Sequence, residues 1–205
     1  GYGLGGEMWT IDHRVFFGNP ELDEVWLELE DFLFGEIYPH ASGTEQHLYA
    51  IAIDAGHSTS AVYAFAHKHR ARRVHAIKGV SGLERAIDNG NNKVGFDWRG
   101  KREKHGPTLW HVGTHLAKDR LANRLEINRP GPGYVHFSRD LSDDWFRQLA
   151  AEDRVTVRTQ YGTRYRWKPN RKRNEVIDMT AYCIWLEERL GLWSPRKKQW
   201  WKDLE

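Results

Sequence analysis

Leu48-Tyr49-Ala50-Ile51-Ala52-Ile53-Asp54-Ala55-Gly56 is the stretch that decides the fold. Its near-continuous apolar run has strand length, the pattern of a central strand covered on both sides. Asp54-Ala55-Gly56-His57-Ser58-Thr59 ends it, and spacing of Val62, Phe65 and Ala66 predicts a helix over 60–69. Arg73 to Ile77 is then a second short strand that delivers Lys78-Gly79. Strand, helix, strand implies a right-handed crossover and parallel pairing, hence an α/β fold with Asp54 and Lys78 on one sheet edge. Open α/β sheets place ligands at that edge, so Asp54 is a candidate site residue, against the plainer reading of a turn or cap aspartate. Lys78 there can neutralise phosphate or be a plain surface lysine.

Upstream, Gly1-Tyr2-Gly3-Leu4-Gly5-Gly6 is turn-prone and Met8 to Phe17 alternates as a strand. Asn19-Pro20 reads as the start of a helix through Phe34, with Leu22, Val25, Trp26, Leu29 and Leu33 inward. Downstream, 81–107 reads as a long loop, including Asp88-Asn89-Gly90-Asn91-Asn92 and Arg99-Gly100-Lys101-Arg102. Leu109 to Val112 is a strand, Thr114 caps a helix to Leu125, Tyr134 to Phe137 is a strand, and Ser142-Asp143-Asp144 opens a short helix. Arg154 to Thr159 and Arg164 to Lys168 flank Gln160-Tyr161-Gly162-Thr163 as a β-hairpin, the basic hairpin 154–168. Its arginines alternate with Tyr165 and Trp167, so one face can meet a phosphate backbone while the other packs.

Apolar or small residues at 177, 181 and 184 predict a last helix over 174–190, stopped by Gly191. Glu175 and Asp178 share the face of its first turn, directly after Arg171-Lys172-Arg173. Such acids either complement the helix dipole or hold a divalent metal that the cations help present to phosphate. A tail, 191–205, carries Trp193, Trp200 and Trp201 and docks on the domain or on a partner.

At 205 residues, 40% hydrophobic, with ten tryptophans, the chain reads as one folded domain, 1–205, with its core over about 7–190. Net charge is only +3, yet 154–173 holds eight Arg or Lys and no acid, which suits a polyanion such as double-stranded DNA. The one cysteine, Cys183, excludes an internal disulfide and a cysteine-rich zinc site, and its place on the last helix predicts a buried thiol. No run of eighteen apolar residues and no signal pattern occur, so a soluble intracellular protein is expected. His57, His67, His69, His105, His111 and His115 match no zinc-ligand spacing. No P-loop motif is present. Hard carboxylate oxygens select Mg²⁺ or Mn²⁺, and two such ions about 4 Å apart can hydrolyse a phosphodiester.

Ile53-Asp54-Ala55-Gly56, Val74-His75-Ala76-Ile77-Lys78-Gly79, Gly131-Pro132-Gly133-Tyr134-Val135-His136-Phe137 and Arg171-Lys172-Arg173-Asn174-Glu175-Val176-Ile177-Asp178, in that order, resemble the nuclease domain of lambda-type phage terminase large subunits. Gly5 to His13, Lys118-Asp119-Arg120-Leu121 and Leu149-Ala150-Ala151-Glu152 extend the resemblance to about Leu190. The resemblance implies an RNase H-like mixed sheet flanked by helices, and an endonuclease that cuts concatemeric viral DNA at cohesive-end sites during packaging. It implies that acids on the first strand, at the end of a central strand and on the C-terminal helix bind the metals. Asp54 matches the second and Asp178 the third, with Glu175 auxiliary, and Lys78 matches a basic residue of the family. The hairpin and its flank, Arg158, Arg164, Arg166, Lys168, Arg171, Lys172 and Arg173, are the expected DNA contacts. The terminase small subunit, an ATPase domain and the portal are the implied partners, and host cytoplasm the implied place. The family's first acid lies on a strand before the Gly-rich turn at which this sequence opens, so that ligand is expected upstream or absent. The residues alone leave two other readings open: a catalytically silent DNA-binding or docking module, and an RNase H-like resolvase or transposase-type nuclease.

Overall fold

The computed structural model describes residues 1–80, 82, 86–95, 106–160 and 162–194. Arg99 to Arg102, His105, Trp200 and Trp201 lie outside the described residues. In order, the strands are β1 (Met8–Thr10), β2 (Tyr38–Pro39), β3 (Glu45–Gln46), β4 (Ile51–Asp54), β5 (Val74–Val80), β6 (Asp88–Lys93), β7 (Thr108–Gly113), β8 (Val135–Phe137), β9 (Glu152–Thr159) and β10 (Gly162–Pro169). The helices are α1 (Asp23–Gly35), α2 (Thr59–Lys68), α3 (Thr114–Leu125), α4 (Asp143–Leu149) and α5 (Glu175–Arg189). The main sheet runs β4-β5-β7-β6, and smaller ladders join β1 to β8, β2 to β3 and β9 to β10. The fold is mixed α/β. The β4–β5 pair is parallel, as the crossover rule required, with Asp54 opposite Ile77.

Contacts group the chain into two interleaved compact units: Gly1–His13, Val80–Asn89 and Val112–Glu205 in one, Arg14–Gly79 and Gly90–His111 in the other. The second unit buries Ile51, Ala55, Val62, Phe65, Ala66, Val74, Ala76 and Leu109, with Trp26, Leu33 and Phe34 packed against them. α1 contributes only partly buried side chains and starts later than predicted. Asn19 instead closes a turn, its Oδ1 accepting the Glu21 N–H, and Leu22 lies outside the helix and is exposed.

The first unit is organised on α5. Val176, Ile177, Ala181, Ile184 and Trp185 are all but fully buried, giving the predicted apolar stripe. Gly191 ends the helix at φ +58°: its N–H donates to the Glu188 carbonyl and the Leu192 N–H reaches back to Glu187, while Leu192 is buried. That double bond is the Schellman stop, and it needs a left-handed residue at this position. α3 packs on α5 through Ala117 and Leu121, and three cations lace the two helices: Lys118 to Asp178, Arg120 to Glu188 and Arg124 to Glu187. Ser142 caps α4, its Oγ accepting the Trp145 N–H at 3.2 Å.

Four expectations need correction. Strand pairing over Met8 to Phe17 stops at Thr10. The segment read as loop contains β6, because a ladder to β7 outweighs the poor strand propensity of Asp88-Asn89-Gly90-Asn91-Asn92. α3 is capped by Gly113 without a side-chain bond, and Thr114 is its first residue. Cys183 is exposed, because it shares the outer strip of α5 with Met179 one turn before it.

Candidate functional site

Asp54 ends β4 with an exposed side chain, and its Oδ1 accepts the Gly56 N–H at 3.0 Å. The turn role and the sheet-edge position therefore coexist. Register puts Lys78 one residue beyond the Ile77 that faces Asp54, exposed and inside β5 rather than after it. Both predicted residues lie at one end of the β4–β5 pair within one unit, but successive strand side chains alternate, so the register sends Lys78 to the face opposite Ile77.

The other predicted acids lie in the other unit. Asn174 precedes α5, and its amide does not cap the helix but donates to Glu152 Oε1 at 2.7 Å. Asp178 and Glu175 stand on the first turn as the spacing required. Glu175 points outward, 4.0 Å from Arg173, which also lies 3.7 Å from Asp144. Arg171, Lys172 and Arg173 are exposed. Asp178 is tied inward: Lys118 Nζ lies 2.8 Å from its Oδ1 and 2.7 Å from Glu152 Oε1. Lys118 is only 6% exposed, so its ammonium is stable there only because two carboxylates accompany it. Neither Lys118 nor Glu152 was singled out from the sequence as a site residue. Their only signal there was membership in the motifs that carry the family resemblance.

Lys118 and Glu152 also line a cavity of about 440 Å³, together with Thr114, His115, Arg166, Trp167, Lys168 and Pro169. The hairpin forms one wall. Residues directly opposite in an antiparallel pair share a face, so the register sets Arg154 and Arg158 beside Tyr165 and Trp167. Arg164, Arg166 and Lys168 take the other face with Val155 and Val157. The cations are thus divided between the faces, rather than collected on one as the alternation implied. The aromatic face is held to α3: Trp167 Nε1 donates to Asp119 at 2.8 Å, and Arg154 pairs with Asp119 at 2.9 Å while lying 4.0 Å over Tyr165.

His115 belongs to the same wall. Its Nδ1 accepts the Trp167 N–H at 3.3 Å, and that nitrogen can take a proton only by giving up the bond. Desolvation, then the Arg166 and Lys118 charges, push its pKa below the ordinary value. The result is a cleft lined by Lys118, Arg166 and Lys168 with one carboxylate, Glu152, among them, a mainly cationic lining suited to an anionic chain bearing phosphates. Its oxygen-only acid set has the chemistry for a hard divalent cation, and a monovalent ammonium already bridges two of those carboxylates. Among the described residues, no group of three or more His, Cys, Asp or Glu is gathered as a metal would need. No helix of the described residues is long and apolar enough to cross a membrane.

The profile described as "Terminase large subunit gpA, endonuclease domain" matches residues 1–200. The chain is 28% identical over 194 residues to "Terminase, large subunit" of Escherichia phage lambda, across 90% of this chain. It spans only 28% of that relative's length. No solved structure matches.

Proposed function

The chain belongs to the terminase large subunit gpA endonuclease-domain family, and from that premise we propose that it is an RNase H-like, metal-dependent endonuclease. It hydrolyses phosphodiester bonds of concatemeric double-stranded DNA at genome ends during viral packaging. Asp54 and Asp178 would hold Mg²⁺ or Mn²⁺, with Glu175 auxiliary, and ions held there would supply water activation and stabilisation of the leaving oxygen. Lys78 neutralises charge on the substrate beside Asp54. Arg158, Arg164, Arg166, Lys168, Arg171, Lys172 and Arg173 hold the backbone. The terminase small subunit, the ATPase domain and the portal are its partners, and it works in the host cytoplasm.

The observation that carries this reading is Asp178, fixed on the first turn of α5 by Lys118, which lines the cationic cavity. An acid there can serve chemistry on a strand seated against Arg166 and Lys168. The test is nicking of supercoiled plasmid in Mn²⁺ against EDTA, by this chain and by a longer polypeptide carrying residues upstream of Gly1. Asp54→Ala and Asp178→Ala are each expected to abolish the Mn²⁺-dependent product while far-UV dichroism stays unchanged. Undiminished cleavage by either variant would sink the assignment. A second reading, a DNA-binding module without cleavage, is favoured by the lack of a gathered acid trio among the described residues. It predicts salt-sensitive duplex binding and no metal-dependent product from either polypeptide.

A further inference from the structure

The cleft between α3 and the hairpin contains a histidine whose two ring nitrogens have different jobs. Thr114, His115 and Lys118, at i, i+1 and i+4 on the first turns of α3, line one side of it, and Arg166, Trp167 and Lys168 of β10 line the other. Lys118 gives little of its charge to an incoming anion, because Glu152 and Asp178 already hold its ammonium at 2.7 and 2.8 Å. Arg166 and Lys168 are exposed and supply the positive charge that an anion meets. On His115, Nδ1 accepts the Trp167 backbone N–H at 3.3 Å, so in the neutral ring the proton sits on Nε2. Nε2 is thereby a donor of fixed identity on a residue that lines the cleft. Desolvation, then the charges of Arg166 and Lys118, hold the ring below its ordinary pKa and so in that neutral form.

Resting on the DNA substrate of the endonuclease reading, we propose that this cleft is a subsite for one backbone phosphate, gripped by Arg166 and Lys168 as charges and by the His115 Nε2–H as a neutral donor. The first turn of α3, and not the hairpin alone, then sets the register of the strand on the protein. The Trp167 N–H is the positioning contact, because it fixes the tautomer of the ring that meets the phosphate. A neutral donor is distinguishable from the cations around it. Each charged contact displaces a counterion and adds about 0.9 to the slope of log affinity against log salt, whereas a neutral contact adds affinity and leaves the slope alone.

Duplex binding is read by fluorescence anisotropy across a salt series, at about pH 8, above the ordinary histidine range, and in EDTA, which keeps binding apart from metal-dependent cleavage. His115→Asn keeps an acceptor for the Trp167 N–H, since its amide oxygen stands as far along the side chain as Nδ1, and has nothing in the place of Nε2. It is expected to weaken binding about tenfold, the scale of one hydrogen bond to a charged group, at the wild-type salt slope. Arg166→Gln is expected to weaken binding and to lower the slope by about 0.9. Combined, the two lose less than the sum of their separate losses, because they hold one phosphate. Far-UV dichroism confirms each fold. His115→Asn at wild-type affinity overturns the subsite. So does a lowered slope in that variant, since the ring would then only keep Arg166 in place, and so do strictly additive losses, which would put the two residues on different phosphates. If the wild-type chain shows no salt-sensitive duplex binding, the failure lies with the DNA reading, and the subsite falls with it.

Discussion

Arg124→Met isolates the most buried ion pair between α3 and α5. The Arg124 guanidinium grips Glu187 with both arms, at 2.7 and 2.6 Å, and the Trp193 indole N–H donates to the same carboxylate. Arg124 is 12% exposed and Glu187 1%, so Met leaves a carboxylate in the core without its cation. Breaking a buried pair from one side costs about 3–5 kcal/mol, against about 0–1 kcal/mol for an exposed pair. The Arg120–Glu188 pair, at 2.9 Å on the same two helices, supplies the exposed comparison. For a chain of this size about 3 kcal/mol lowers Tm by roughly 6–12 °C, so Arg124→Met separates clearly from Arg120→Met. Urea denaturation followed by far-UV ellipticity gives the free energies, and Arg124→Met with Glu187→Met recovers most of the loss, because both charges leave together. Equal midpoints for Arg124→Met and Arg120→Met would refute the claim that burial, not pairing, makes this contact matter.

The remaining expectations use other parts of the molecule. His115 has a folded pKa depressed below its ordinary 6.5. The unfolded chain therefore binds a proton that the folded one refuses, and this contribution to stability is full above about pH 6.5 and is lost as pH falls toward the folded value. His115→Gln flattens that decline, read from urea midpoints between pH 7 and 5; an unchanged slope rejects it. Replacing Arg164, Arg166 and Lys168 together by Gln lowers the slope of log affinity against log salt for duplex DNA by up to about 3 if all three meet phosphates. A slope equal to that of wild type would remove this hairpin face from the interface. Gly191→Ala, placed at φ +58°, costs about 1–2 kcal/mol in urea, and no change there would deny the left-handed stop of α5 its role.

The fold was legible wherever one periodicity ran long enough to outvote its neighbours. α5 with Gly191, α3 to Leu125, the parallel β4–β5 crossover and the β9–β10 hairpin all lie close to where spacing put them. β6 was not legible because its stability comes from pairing with β7, and Asn and Gly have no strand preference to announce it. Cys183 was misplaced for a related reason: a small apolar residue beside a buried stripe can fall on either side of its edge, and 100° per residue puts it with Met179.

The site was legible in its acids and not in its lysine. Three residues of sequence suffice to put Glu175 and Asp178 on one turn, but not to show that Glu175 points outward to Arg173 and Asp178 inward to Lys118. Lys118 meets Glu152 across 34 residues, and Asp178 across a helix–helix contact. Nothing in the local pattern of α3 separates Lys118 from Arg120 or Arg124, which face partners on the same helix α5. What separates them is the company each cation keeps. Arg120 has an exposed partner, Arg124 a buried partner in the core, and Lys118 alone joins a buried glutamate to an aspartate that water can reach. A buried ammonium shared between a sheltered and an accessible carboxylate stabilises the arrangement only while both are charged. That condition ties the stability of the α3–α5 contact to the charge of Asp178: neutralising the aspartate removes half of the pairing on which the buried Lys118 depends.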